Sequence, residues 1–355
     1  MSAPTLRQQL GCWAHERWKT ELILRAPSIA ARLGLTWLDL HNRRESISRV
    51  DAGRARVCNW HDSSLFTACR LFPAIGGRLL RHCLKEWPVA FRDGLTAPDG
   101  RPDVSIIIPF RGTARLPQLR CCLANLCAQQ GVAVEIILVE QSWEPLLADA
   151  VLPGVRYLHT QCVTPDMPFN RSWAMNVGAR HALGDCLIFH DGDLLAPATY
   201  AATALDLMRR GYHGARLPRL IFYLDQDTSA PIQAENAMPA TDMRIGEVRA
   251  NCRATLVMDR QAYWRIGGHD ESFSGWGGED DELLERAATL HFYPGAFLPF
   301  IHLWHPSQPE KHSGMIEREQ FTAQKLKIPV AQRIASLRDN SPGECSGPCR
   351  ETARI

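Results

Sequence analysis

The sequence predicts an α/β fold: a mostly parallel sheet with helices on both faces, preceded by a mainly helical N-terminal extension. Three observations predict it. Short apolar runs, Val104–Ile108, Val134–Val139, Val155–Leu158 and Cys186–Phe189, have strand length and little polar alternation, as strands buried on both faces do. Helical spacing falls between them: Leu116, Leu119, Leu123 and Leu126 recur on one face until Gly131 stops the helix, and Asn170–Leu183 reads as a second helix. Repeated strand, helix, strand order then implies right-handed crossovers and a parallel sheet.

Residues 1–100 form the extension, rich in Arg, Leu and Trp without a clear β pattern, and it closes in the turn-rich stretch Thr96–Asp103. Residues 101–330 form the α/β domain and 331–355 a C-terminal tail. From about Asp339 the tail contains Ser-Pro-Gly and Ser-Gly-Pro and reads as flexible. Trp13, Trp18, Trp37, Trp60 and Trp87 read as aromatic core of the extension rather than as a surface that stacks on sugars or lipid headgroups.

Composition narrows the function classes. The chain has 355 residues, 40 Lys+Arg against 38 Asp+Glu, a net charge of +2 and 45% hydrophobic residues, which excludes whole-chain disorder and collagen-like structure. Near-neutral charge without a basic run removes the footprint of a nucleic-acid binder and points to small-molecule or saccharide partners. No apolar run approaches the roughly 18 residues needed to cross a bilayer, and Met1–Leu10 lacks the basic-then-apolar pattern of a leader. The expectation is a cytoplasmic protein, with docking at the inner face of the membrane left open. The twelve cysteines then read as thiols. Cys58, His61, Cys69 and Cys83 lack a Cys-x-x-Cys pair to anchor structural zinc, and Cys121, Cys122 and Cys127 read as packing residues.

Ligands of such sheets bind beyond the carboxyl ends of the strands. After the strand ending at Phe189 comes His190-Asp191-Gly192-Asp193, two carboxylates flanking a glycine. Carboxylate oxygens suit hard divalent cations, and a cation held at a strand end can bridge to nucleotide phosphates. Gly275-Trp276-Gly277-Gly278-Glu279-Asp280-Asp281-Glu282 leads into a helix. The helix dipole accounts for one or two of those acids, while a Trp between glycines suits a ligand-facing loop that presents a carboxylate base. His302-Leu303-Trp304-His305 places two imidazoles three residues apart, within reach of one metal shared with the aspartates.

Together with Ile108-Pro109-Phe110-Arg111 and with Phe169-Asn170-Arg171 followed by Asn176-Val177-Gly178, these make five motifs. Their order resembles that of GT-A glycosyltransferases, most of all the β-1,4-galactosyltransferase group and bacterial family 2 relatives, including chondroitin-polymerase-like domains. The resemblance spans about residues 103–315 and leaves residues 1–100 without a role.

The resemblance implies a GT-A fold and definite roles. Pro109, Phe110 and Arg111 would line a uridine pocket, with Arg171 on the nucleotide side and Asp191 at the donor. Asp193, His302 and His305 would hold Mn2+ or Mg2+; His302 falls where many vertebrate members have methionine, which makes this site harder. Trp276 would close over the donor, Asp280 would be the catalytic base, and Glu279 and Asp281 would bind acceptor or donor hydroxyls. Asn251 would face the second carbon of the donor sugar, where its small amide suits an N-acetyl group.

The implied activity is an inverting, metal-dependent transfer of galactose or N-acetylgalactosamine from a UDP-sugar to a saccharide or lipid-linked glycan acceptor, in glycan or surface polysaccharide synthesis. The alternatives are a sugar nucleotidyltransferase, which would carry a glycine-rich phosphate loop where Pro109-Phe110-Arg111-Gly112-Thr113 stands, and a non-catalytic sugar-nucleotide or glycan-binding module.

Overall fold

The structure is a computed structural model that describes residues 5–59, 65–96, 100–240, 243–250, 255–275, 277–307, 315–339, 343 and 350–353. It opens with helices α1 (Leu6–Cys12), α2 (Trp18–Arg25) and α3 (Pro27–Arg32), the first two joined by a π turn over Trp13–Arg17. An antiparallel hairpin follows, β1 (Ser46–Val50) and β2 (Ala55–Asn59), then α4 (Thr67–Leu71) and α5 (Ala74–Glu86). The hairpin departs from the expected absence of β structure. Its strands are five residues each and largely polar, so they carry no apolar run; what makes them pair is the turn, where Asp51 and Ala52 take φ values of 51° and 50°.

The α/β part starts with β3 (Val104–Phe110), α6 (Leu116–Cys127), β4 (Val134–Ser142), β5 (Arg156–Gln161), α7 (Arg171–His181) and β6 (Cys186–His190). Each lies within a few residues of the expected element. It continues with β7 (Leu194–Leu195), α8 (Tyr200–Arg209), β8 (Gly214–Ala215), β9 (Pro218–Leu224), α9 (Gln226–Glu235), β10 (Ile245–Arg249), β11 (Thr255–Asp259) and α10 (Arg260–Arg265). The last elements are α11 (Glu279–Ala287), β12 (Leu298–His302), α12 (Met315–Lys327), α13 (Val330–Asp339) and β13 (Arg350–Ala353). Where the sequence reads as a flexible tail, β13 pairs antiparallel with β5 and edges the main sheet.

Among the described residues the main sheet has strand order β13-β5-β4-β3-β6-β11-β8, and its central strands β5, β4, β3 and β6 are parallel. A second sheet has the order β10-β9-β12-β7. Two strands link the sheets to the site. β6 runs out of the main sheet through Asp191-Gly192-Asp193 into β7, and β7 pairs with the end of β12, Leu194 opposite His302 and Leu195 opposite Ile301. That register sets Asp193 beside His302, and the Leu303 amide donates to the Asp193 carbonyl at 2.9 Å. The sheets are held from both sides by apolar side chains, with Ile106, Ile108, Ile136, Leu138 and Ile188 on one face of the main sheet and Ile107, Ile137, Val139, Leu187 and Phe189 on the other.

The nine cysteines among the described residues are all free thiols, and Cys121, Cys122 and Cys127 are buried in the face of α6 that packs inward. Cys69 and Cys83 are likewise buried, while His61 lies outside the described residues.

Candidate functional site

The site forms where β6, β12, α7 and α11 converge. Asp193 is its centre. The carboxylate is buried, with His305 Nε2 3.3 Å from one oxygen, His302 Nε2 3.8 Å from the other, and the Arg115 guanidinium 2.9 Å away. Burial alone would raise its pKa, but the hydrogen bond from His305 and the charges of His302 and Arg115 hold it well below the ordinary carboxylate range. His302 stacks on Tyr223, with centroids 4.4 Å apart, and burial lowers its pKa against the opposing pull of Asp193. One ligand atom from each of Asp193, His302 and His305 lies within 4.8 Å of the others, the one such three-residue cluster among the described residues.

This donor set fits a divalent cation. A carboxylate and two imidazoles suit first-row ions such as manganese, and the ligand atoms are close enough to share one ion without backbone movement. The histidines are fixed from behind: the Trp304 amide donates to Ser229 Oγ and Gln118 donates to the Trp304 carbonyl, so α9 and α6 both hold the turn between them.

Gly192 sits between the aspartates for a steric reason. A Cβ there would lie 2.8 Å from Phe110 Cδ2, because the Phe110 ring, only 3% exposed, fills the space beneath the turn. Phe110 thus supports the Asp-Gly-Asp turn from beneath, and Pro109 beside it is also buried. Arg111 donates to the Met167 carbonyl and to Cys162 Sγ, tying the end of β3 to the loop that leads into α7.

α11 starts at Gly278, whose φ of 92° and contact with Thr322 of α12 admit no Cβ. Its first turn presents Glu279, Asp280, Asp281 and Glu282 at the positive end of the helix dipole. Arg171, the first residue of α7 after the Asn170 N-cap, gathers three of the site's acids: 2.8 Å to Asp191, 3.1 Å to Asp280 and 3.6 Å to Glu279. Burial works against the Arg171 cation, yet these carboxylates raise its pKa further, so it is permanently charged.

Asp280 is pushed up to about 7, first by burial and then by Glu279 and Asp191, against the opposing pull of Arg171. About a third of its side chain, 32%, is exposed. Glu279 is buried and Asp281 half-buried. Glu282 turns inward, where it accepts two hydrogen bonds from Arg286 and one from Arg333 of α13.

The structure therefore gathers Asp191, Arg171, Glu279 and Asp280 in one ion-pair network and Asp193, His302 and His305 in another, joined by the Asp191-Gly192-Asp193 turn. Asn251 and Trp276 lie outside the described residues. The Asn-Val-Gly motif is a brace: Asn176 donates to the His269 carbonyl and Glu271 and accepts from Tyr263 and the His269 amide. Sequence reasoning missed Arg115, Tyr223 and the Glu282–Arg286–Arg333 network. Arg115, Tyr223 and Arg333 all join the site only through tertiary packing.

Residues 105–267 match the family model described as glycosyl transferase family 2, and residues 246–296 match the one described as the N-terminal domain of galactosyltransferase. Human beta-1,4-galactosyltransferase 5 is 29% identical over 195 residues, 53% of this chain and 38% of that protein, and the mouse protein of the same name matches to the same extent. The pig counterpart is 28% identical over the same length. The chain spans about two fifths of the length of the curated relatives it matches. Among solved structures, the catalytic domain of Drosophila beta1,4-galactosyltransferase 7 with xylobiose aligns with a TM-score of 0.38 at 18% identity, covering 62% of this chain and 79% of that one. A mutant of the same fly enzyme with manganese, UDP-Gal and xylobiose aligns at 0.36 and 19% identity, covering 62% and 78%. Over these stretches the chain is similar to family 2 glycosyltransferases and to galactosyltransferases, and its fold is mixed α/β.

Proposed function

We propose that this chain is an inverting, metal-dependent glycosyltransferase that moves galactose or N-acetylgalactosamine from a UDP-sugar to a hydroxyl of a saccharide or lipid-linked glycan. The observation that carries the reading is the Asp193–His302–His305 cluster one turn away from an ion-pair network in which Arg171 joins Asp191 to a partly exposed Asp280, whose pKa is pushed up to about 7. A cluster of metal ligands alone would serve a hydrolase equally well. The galactosyltransferase relatives support a UDP-sugar as the donor.

In this reading Asp193, His302 and His305 hold Mn2+ or Mg2+, which supplies positive charge where the leaving diphosphate gathers negative charge. Arg171 donates to both Asp191 and Asp280, and in this reading Asp191 serves the donor and Asp280 the acceptor. The ionised Asp280 accepts the proton of the acceptor hydroxyl as that oxygen attacks the anomeric carbon. Attack comes from the face opposite the leaving group, so the configuration inverts. Glu279 and Asp281 flank the base and take acceptor or donor hydroxyls, Arg111 and the buried Pro109–Phe110 pair frame the nucleotide end, Trp276 closes over the donor, and Asn251 admits the acetamido group of N-acetylgalactosamine.

No described helix is long and apolar enough to cross a membrane. We place the reaction in the cytoplasm, peripheral to the inner face of the membrane, in the synthesis of a glycan or surface polysaccharide.

The test is a donor panel: binding and hydrolysis of UDP-Gal, UDP-GalNAc, UDP-Glc and UDP-GlcNAc with manganese or magnesium, in the parent and in Asp193→Ala and Asp280→Asn. We expect turnover of UDP-Gal or UDP-GalNAc with metal, loss of metal-dependent binding in the first variant, and loss of turnover with binding kept in the second. Failure of every UDP-sugar to bind with either metal would move the nucleotidyltransferase and binding-module readings to the front. Turnover of UDP-Gal with no response to UDP-GalNAc would remove the role given to Asn251.

A further inference from the structure

Two of the five extension tryptophans read as core stand in solvent instead. Trp13 is 55% exposed and Trp18 41%, whereas Trp37 is buried and Trp87 half-buried. They continue a row begun by Leu6 and Leu10, at 72% and 60%. On an unbroken α-helix the row would stop at Trp13, since positions 6, 10 and 13 share a face and position 18 falls well off it. The π turn over Trp13–Arg17 changes this. The Trp18 amide donates to the Trp13 carbonyl, a five-residue step that returns Trp18 to the face of Trp13. The opposite face is packed: Cys12, Glu16, Thr20 and Ile23 are buried, and Glu16 accepts from Cys12 Sγ and from the Arg43 amide. On α3, Ile29 and Leu33, four residues apart, are also exposed.

The charges around this apolar row have one sign. Residues 5–34 hold five basic groups, Arg7, Arg17, Lys19, Arg25 and Arg32, against two acids, a net of +3 in a chain whose total is +2. Neither acid offsets the exposed surface: Glu16 is buried, and Glu21 is bound by Arg17, Arg25 and Arg78. A long helical segment with Leu and Trp on one face and an excess of Lys and Arg beside it suits the boundary between lipid headgroups and acyl chains. Trp is favoured there because its ring is apolar and its N–H stays wet.

We propose that the α1–α2 helix is a docking face for an anionic lipid surface, entered by Leu6, Leu10, Trp13 and Trp18 and steered by Arg7, Lys19 and Arg32. The proposal deepens the membrane-peripheral part of the function above and rests on that placement, while it is independent of the glycosyl-transfer chemistry.

The test uses the full chain with sedimented vesicles of phosphatidylcholine alone or with about one-third phosphatidylglycerol, and thermal melting as the check of folding. The parent is expected to bind the anionic vesicles at least about tenfold better than the neutral ones, and to release them as salt rises. Trp13→Ser with Trp18→Ser, and separately Arg7→Glu with Lys19→Glu, are each expected to weaken that binding at least about tenfold with an unchanged melting temperature. No binding to anionic vesicles, or binding that survives both pairs of substitutions, overturns the proposal. A dimer in solution that the tryptophan pair dissociates, without vesicle binding, assigns the face to a second copy of the chain and also overturns it. Donor turnover is scored separately, so inactivity towards UDP-sugars would count against the transferase reading and leave this one standing.

Discussion

Asp280 is held between opposing influences, and two expectations follow from its raised pKa. Burial, Glu279 and Asp191 favour its neutral form, so it becomes a base only as pH rises through about 7. Activity per unit enzyme at low substrate should therefore climb through that pH and level off above it, and Asp280→Asn should lower turnover by roughly 10²–10⁴-fold, a loss read from initial rates across pH 5.5–9. The same shift bears on stability with the opposite sign. In the unfolded chain the group ionises near 3.9, so between about pH 4 and 7 the folded state retains a proton that the unfolded state has lost, and stability falls across that window as pH rises. Asp280→Asn removes this penalty, so the inactive variant should melt at a higher temperature than the parent at pH 8 and show no such gain at pH 4. At this scale the aspartates, the histidine pair and the Gly-Gly-Glu-Asp-Asp run were legible because their chemistry is written in side-chain type and local spacing. Arg115 was not, since nothing near it in sequence tells that its guanidinium reaches Asp193, 78 residues away.

The elements that carry the site are legible in proportion to their length and burial. β3, β4 and β6 are each built around a run of three or more consecutive apolar residues and α6 is a regular helix, so period and composition agree. β7 and β8 have two residues each, and β9, β10 and β12 make a mixed second sheet whose pairing depends on distant partners, so no local pattern announces them. α13 shows what this hides. Its Arg333 enters the core at 5% exposure and donates to Glu282, Glu285 and the Ile328 carbonyl, while Arg286, fully buried, ties the same Glu282 to the Ile266 and Gly268 carbonyls. This clamp holds the first turn of α11, two residues from Asp280. Arg333→Met should cost about 3 kcal/mol in chemical denaturation, the lower end for breaking a buried ionic network, because Glu282 keeps Arg286. Turnover should fall while donor affinity is kept, since the clamp touches the base's helix and not the Asp193 cluster.

Across the whole molecule, the boundary near residue 100 that composition suggests does not divide the hydrophobic core. Trp37, Phe66, Ile75, Leu79 and Leu80 from the extension pack in one buried cluster with Leu220, Phe222, Leu224, Ile245, Val248, Ile301 and Leu303 of the second sheet. Polar contacts cross the same seam: Arg219 of β9, 2% exposed, donates to the Leu38 and Leu40 carbonyls, and the Arg56 amide donates to the Ala296 carbonyl. The second sheet includes β12, which ends on His302, so the extension covers the strand that delivers the histidines to Asp193. We infer that residues 1–100 are part of the catalytic fold's core rather than an appendage to it. A chain starting at residue 101 would uncover at least seven large apolar side chains on one sheet, and burying each fully is worth about 1.5–3 kcal/mol, more in sum than the net stability of an ordinary domain. Such a chain should be insoluble or lack a cooperative thermal transition. If it instead stayed monomeric, melted cooperatively and bound metal with the affinity of the full chain, the extension would be a separable domain and its cover of β12 irrelevant to the site.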